Sequence, residues 1–308
     1  VLSKDFREFH CTYGVFLDQI KNNWIFKYVD KNKFFLKTLK LKVKFNSHKD
    51  ITLKNLRYGL IDNNYLHSYL IETLKNHNIE MIEGVLKNVK QLGHLYILNY
   101  KNKNIYTNFI IRATGKNLDL YDYPNFVSYK QYFVGYKIKI NQDYNLDTDT
   151  CTLLNWDKID NNNLSSFLYV VPYKEQDTFL FEETVLATSK TDFDFNLLKT
   201  RLLKRLEQYG ITKYEILEKE ITFIPLNLPI QDEFDIAFKI GQCGNMINNL
   251  SGYTIGYNLY HIPEYCDLIV KGNFNLKYVT DNYWCFKRKL INSINLIGLK
   301  LIDNLTQE

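Results

Sequence analysis

Glu182 and Glu183 are adjacent acids inside an apolar stretch, a placement that points to chemistry or to an ion pair. They sit in residues 167–187, FLYVVPYKEQDTFLFEETVLA, where two runs of β-branched, aromatic and leucine residues flank the polar tetrapeptide Lys174-Glu175-Gln176-Asp177. That composition predicts a β-hairpin. A carboxylate among Phe179, Leu180, Phe181, Val185 and Leu186 costs several kcal/mol if unpaired, or keeps its proton well above the usual pKa of about 4.3. Such a group is an ion-pair partner or a working acid. The alternative is an edge strand with both acids in water. Neighbours on a strand point to opposite faces, so only one of the pair can enter a cavity directly.

A second group of residues suits ligand binding. Gly241, Gly244, Ser251, Gly252 and Gly256 cluster between an apolar strand and a Tyr-rich segment, and Ala113-Thr114-Gly115 ends another apolar strand. Glycine turns let backbone N–H groups approach a phosphate or a flavin ring, and a following helix N-terminus favours an anion. Either turn can equally be a plain turn, and no G-x-G-x-x-G fingerprint occurs. The histidines, His10, His48, His67, His77, His94 and His261, lack metal-ligand spacing, so no metal site is expected. Ser251 has no nucleophile elbow around it, and Cys243 reads as a small core residue.

The elements that must position these groups alternate between strand and helix. Residues 36–45, LKTLKLKVKF, alternate apolar and lysine from Leu39 onward, as a strand with one wet face does. Asp62 precedes Tyr65, Leu66, Tyr69, Leu70 and Leu74, the stripe of an amphipathic helix ending near 76–78. Strands are expected at 79–86, 94–100 and 105–111, then in YFVGYKIKI and CTLLNW between 129 and 156. A leucine-striped helix follows over 195–208, with Gly210 as its stop. After it come strands at 218–225 and 236–240, and helical spacing over 283–305. Residues 11–35 mix periods and read as short irregular elements.

The chain's 308 residues, 45% of them hydrophobic, can bury a sizeable core. A net charge of +5, spread along the chain, gives no basic stripe for nucleic acid but would not oppose an anionic membrane face. No apolar run approaches the roughly 20 residues of a membrane span. Five cysteines without C-x-x-C suggest a reducing compartment rather than a disulfide framework.

In this order the pieces resemble the plant and cyanobacterial type of lycopene β- and ε-cyclases. The family's FLYAMP, followed by FLEET or FFEET, is similar to residues 167–172 and then Leu180-Phe181-Glu182-Glu183-Thr184. Its leucine helix and Ile-Pro strand end are similar to 197–206 and Ile224-Pro225. Its segment GGTAGMVHPSTGY aligns without gaps on 241–253, where His-Pro is replaced by Asn248-Asn249. Tyr13-Gly14-Val15, Tyr58-Gly59 and Ala113-Thr114-Gly115 fall in family order. Two further departures are Leu226-Asn227 for Gly-Gly, and Leu60 and Asn63 in place of an early-helix arginine.

The resemblance implies an α/β (α+β) flavoprotein, a Rossmann-like FAD/NAD(P)-binding domain interleaved with an antiparallel β-sheet domain that holds the substrate. It places the FAD part at about 50–120 and 235–308 and the substrate sheet at about 121–234, in one unit over 1–308 whose glycine-rich phosphate loop is expected before Val1. It implies non-redox cyclisation of lycopene end groups in carotenoid biosynthesis, an isomerase or intramolecular lyase reaction that needs reduced FAD, with NAD(P)H as electron source. Glu182 is then the general acid and Glu183 its runner-up, with Gly115, Gly241, Gly244, Met246, Gly252 and Tyr253 at the flavin. A carotenoid substrate, a plastid location and peripheral membrane association come with it. Another FAD-dependent monooxygenase or oxidoreductase, and a non-catalytic carotenoid-binding relative, are the alternatives.

Overall fold

The structure, a computed structural model, describes residues 1–305 apart from 5, 8, 10, 46–49, 116–125 and 162–163. His10 and His48 therefore lie outside the described residues, as does 116–125, where the two halves were expected to meet.

A mixed α/β fold is built around one nine-stranded sheet. Its main strands are β1 (Gly14–Phe16), β2 (Phe35–Lys44), β3 (Tyr58–Ile61), β4 (Lys130–Ile140), β5 (Thr150–Asn155), β6 (Ser166–Pro172), β7 (Thr178–Val185) and β8 (Tyr214–Pro225). They lie in the order β8-β4-β7-β6-β5-β2-β3-β1, and the short strand Ile51–Thr52 pairs with β2 off this path. Every pairing is antiparallel except β5 with β2. The sheet thus reaches beyond 121–234, because strands from residues 14–61 join it through that parallel contact.

Alternation places the two faces of the sheet in different surroundings. Val134, Tyr136 and Ile138 of β4, with Phe179, Phe181 and Val185 of β7, pack under helix α2 (Phe195–Gln208), which brings Leu198, Leu202 and Leu206 onto them. Asp194 caps α2, its side chain accepting from Asn196 N, and Gly210 at φ +71° ends the turn after it. The opposite face carries Leu39, Leu41, Tyr58, Leu60, Cys151, Val171, Tyr173 and Leu180. The β6–β7 hairpin turns through Lys174–Asp177, with Asp177 left-handed at φ +66° and Tyr173 N donating to Thr178 O. Helix α1 (Asn63–Asn76) starts at Asp62, whose carboxylate accepts from Tyr65 N at 2.9 Å.

Outside the large sheet, Leu86–Leu92, Leu95–Tyr100 and Lys103–Thr107 form an antiparallel meander. Two short pairs are parallel, Leu2–Ser3 with Ile82–Glu83 and Ile111–Arg112 with Phe238–Lys239. The expected strand at 105–111 is therefore two, because Thr107 Oγ1 donates to Phe109 O and bends the chain between them. That at 79–86 shrinks to Ile82–Glu83, and that at 236–240 to Phe238–Lys239. Helices α3 (Ile255–Lys271), α4 (Leu276–Tyr283) and α5 (Phe286–Leu305) complete the chain, with Met246, Tyr265, Ile269, Val279, Tyr283 and Trp284 packed between the first two.

Candidate active site

Four strands place their residues in one transverse row: Glu220 lies opposite Gly135, Gly135 opposite Glu182, and Glu182 opposite Tyr169. Directly opposed residues share a face, so both acids and the tyrosine project from the side of the sheet away from α2. Gly135 has no Cβ, and one built there would stand 3.3 Å from Glu182 Cγ. The side chain of Glu182 lies over this gap. Thr184 Oγ1 donates to its carboxyl at 2.7 Å. Part of its surface stays open, yet burial pushes its pKa up to about 8; the charge of Glu220 adds to that shift and the Thr184 hydrogen bond opposes it.

Glu220 is 4% exposed and tied to the N-terminal segment. Thr12 donates to the same carboxylate oxygen twice, from its backbone N at 3.0 Å and from Oγ1 at 2.6 Å. Since the Thr12 hydroxyl proton is committed there, the 2.7 Å contact with Tyr173 is filled by the tyrosine donating. Burial raises the Glu220 pKa, and the two Thr12 bonds oppose the rise.

Beside the acids stands a chain of phenols. Tyr169 OH donates to Tyr58 OH at 3.0 Å, which donates to Tyr253 OH at 3.1 Å. Phe16 packs edge-on against Tyr58 and tilted on Tyr253. Burial pushes all three phenols upward, so they remain neutral donors. A protonated carboxyl beside aromatic faces and the leucines of β2 and β3 can deliver a proton to an electron-rich carbon, and ring faces stabilise a cation formed there.

Glu183 points the other way. It is fully buried under α2, where Arg205 Nε donates to Oε2 at 3.1 Å and Ser166 Oγ to Oε1 at 2.5 Å. Arg201 extends the network, donating to Ser166 Oγ and Leu164 O and pairing with Asp160. Nη1 and Nη2 of Arg205 have no partner among the described residues. The adjacent acids divide into an ion pair in the helix layer and an acid on the open face.

The two glycine turns meet at the carboxyl ends of the parallel pair Ile111–Arg112 and Phe238–Lys239, the end at which α/β sheets bind ligands. Gly115 has φ +63°, and a Cβ on it would lie 3.7 Å from Gln242 Oε1. Gly241 has φ +68° with open space where a side chain would stand. Cys243 Sγ donates to Arg112 O and ties the turns together. Gly244 answers a different need, since its Cβ would fall 2.4 Å from Lys239 O. Met246 is fully buried against Phe238 and Tyr265. Gly252, at φ +76°, fits against Gln131 of β4 and delivers Tyr253 to the phenol chain. Half-buried backbone at Gly115 and Gly241, with no described side chain within 4 Å of a Cβ at Gly241 and only Gln242 near one at Gly115, fits the edge of a flavin or its phosphates.

Sequence reasoning did not single out Glu220, Thr12 or Tyr169. A signal was present in β4, where Gly135 interrupts an otherwise bulky strand, as glycine does where another group must come close. Among the described residues no cluster suits a metal ion, and all five cysteines are free.

Comparison with known proteins places this geometry. A geranylgeranyl bacteriochlorophyll reductase-like protein from Thermoplasma acidophilum superposes over 100% of this chain and 81% of its own, with TM-score 0.72 at 13% identity. CtdE, solved with FAD and a substrate, covers 99% of this chain and 83% of its own at TM-score 0.64 and 11% identity. These likenesses show the fold of FAD-binding flavoproteins. In sequence, capsanthin/capsorubin synthase of Citrus sinensis is 24% identical over 273 residues, 84% of this chain and 52% of that protein. Lycopene beta cyclase of Synechococcus elongatus is 32% identical over 107 residues, 35% of this chain and 26% of that protein. Lycopene beta cyclase of Solanum lycopersicum is 22% identical over 280 residues, 82% of this chain and 55% of that protein. The chain spans about half the length of the longest-matching of these relatives. Residues 35–308 match the family described as lycopene cyclase protein, and the chain belongs to that family.

Proposed function

We propose that this protein closes an end group of a linear carotenoid such as lycopene into a ring, with Glu182 as the proton donor. The observation that carries the reading is the placement of the Glu182 carboxyl on an aromatic and apolar sheet face, where burial pushes its pKa up to about 8. Glu182 gives its proton to the terminal double bond, a neighbouring alkene attacks the resulting cation to form the ring bond, and an adjacent carbon releases a proton. The product has the formula of the substrate, and the released proton restores the acid. Tyr58, Tyr169 and Tyr253 wall the cation and exclude water that would otherwise trap it.

FAD in its reduced form, with NAD(P)H as electron source, would supply negative charge density near the cation. Gly115, Gly241 and the Gly252-Tyr253 step would hold it, with Gly244 and Met246 shaping the turn. Replacing Glu182 by Gln, in protein supplied with reduced FAD and lycopene, tests the reading: ring products disappear while bound flavin is unchanged. Rings formed by the variant would overturn it. Oxidation of NAD(P)H with hydroxylation of an aromatic substrate would favour a monooxygenase instead, and wild-type protein that retains lycopene without forming rings would favour a carotenoid-binding relative.

A hydrocarbon substrate of this kind dissolves in membranes, and α5 offers the matching surface. Phe286, Leu290, Ile294, Ile297 and Leu301 form its outward stripe, with Phe286 81% exposed, while Leu299 and Asp303 face inward. Lys287, Lys289 and Lys300 flank the stripe, and Asp303 is the sole carboxylate of the helix. Apolar stripes with flanking lysines suit the face of an anionic bilayer. No described helix is long and apolar enough to cross one. The chloroplastic and chromoplastic relatives support a plastid location.

A further inference from the structure

We propose that Glu220 is the positioning carboxylate of the acid site: anchored by Thr12 across the gap at Gly135, it holds the proton on Glu182 and aims that side chain at the substrate. This deepens the reading of Glu182 as proton donor and rests on it.

Three observations converge. The first is the row itself, in which Gly135 alone separates the two acids and its missing side chain leaves the space over which Glu182 lies. A methyl group there would stand 3.3 Å from Glu182 Cγ and 3.4 Å from its Cβ. The second is an asymmetry of hydrogen bonding. Glu220 receives two bonds from Thr12, whose hydroxyl is oriented by Tyr173, whereas Glu182 receives one from Thr184. Hydrogen bonds to the charged form favour it, so the pair loses its first proton at Glu220 and keeps its second at Glu182. The third is the electrostatic surroundings. Lys137, at the next inward-facing position of β4, is engaged by Glu218 at 3.3 Å and lies over the ring of Tyr173. Tyr13, Tyr58, Tyr169, Tyr173, Tyr253 and Cys151 are all pushed upward by burial and stay uncharged. One carboxylate facing one carboxylic acid is what remains. Environments that push two acids apart in this way assign one as donor and the other as its electrostatic partner.

Glu220 could instead serve only to fasten the N-terminal segment to the sheet. The two roles differ in one readout. In purified protein the infrared carbonyl band of protonated Glu182 is identified by its loss in Glu182→Gln and is then titrated in wild type, Glu220→Gln and Gly135→Ala. Removing the neighbouring charge should lower the midpoint by about one pH unit in Glu220→Gln. Gly135→Ala, which pushes the carboxyls apart, should move it in the same direction and serves if the first variant does not fold. The alkaline limb of ring formation should move with the band. A midpoint unchanged in both variants overturns the proposal, even if ring formation falls. The two readings fail separately: rings formed by Glu182→Gln sink Glu182 as the proton donor and leave a shifted band standing, whereas a fixed band sinks the role of Glu220 and leaves Glu182 as the acid.

Discussion

Glu183 and Arg205 close an ion pair at 3.1 Å with side chains 0% and 1% exposed, on the sheet face opposite to the neighbouring Glu182. The FLFEETV strand therefore carries its ion-paired acid and the acid proposed as proton donor on consecutive residues, separated by the thickness of the sheet. Arg205 already leaves two nitrogens without partners among the described residues, so it depends on Glu183 for neutralisation.

Glu183→Ala should destabilise the protein by about 3–5 kcal/mol, because it strands a guanidinium under α2. Urea denaturation would show a lower midpoint with an unchanged slope. Replacing both partners by methionine should recover most of the loss, since an apolar pair needs no desolvated charge. A double variant no more stable than Glu183→Ala would show that Arg205 is not the cause.

The raised pKa of Glu182 gives stability a defined slope against pH. In the unfolded chain the group loses its proton near 4.5, whereas in the folded protein it keeps it to about 8. Between these values the unfolded state binds fewer protons, so the contribution of Glu182 to stability is fully present below the window and is lost as pH rises through it. Relative to Glu182→Gln, the wild type should lose stability from about pH 4.5 to 8 and run parallel above it. Its kcat/KM for ring formation should also fall above about pH 8, where the donor is ionised. Parallel stability curves throughout would show that Glu182 titrates as an exposed acid.

Two glycines of one turn should respond differently to alanine. Gly241→Ala meets open space but holds a left-handed conformation, at a cost of about 1–2 kcal/mol, and its methyl would enter the space proposed for the flavin. Bound flavin should fall while the fold persists. Gly244→Ala drives a methyl to 2.4 Å from Lys239 O, so the turn itself must move and both flavin content and melting temperature should drop. Flavin absorbance and thermal unfolding, measured together, separate the cases.

Wild-type protein should float with vesicles containing anionic lipid and bind neutral vesicles less. The double change Ile294→Asp and Ile297→Asp removes two apolar contacts, each worth about 1.5–3 kcal/mol when fully buried, and should abolish flotation. Flotation unaffected by these changes would exclude α5 as the contact.

Alternation made much of this site legible. It predicted the hairpin and, from the parity of residues 179–185, the separation of Glu182 from Glu183. Patterning did not reveal what depends on pairing between distant strands. Glu220 sits in YEILEKEITFIP, where Glu215 and Glu218 are exposed, and it is buried because β4 and Thr12 cover it. The strand Leu86–Leu92, LKNVKQL, shows little apolar alternation, since its residues are half-buried or exposed and are held by backbone pairing. Arg205 looks like a polar position on a leucine helix until the acid beneath it is seen. Exposed and buried charges share the same letters, and only the partner tells them apart.

The contact of Thr12 with Glu220 joins positions 208 residues apart. Pairings of such separation close late, after the hairpins on which they rest, because the loop entropy they remove is large. A molecule with its sheet assembled and this last clasp open would hold both acids without the arrangement that distinguishes them. On the roles proposed for these acids, a chain with this clasp still open would lack the Glu220 carboxylate that sets Glu182 as donor, so the donor would be completed only when residues 12 and 220 meet.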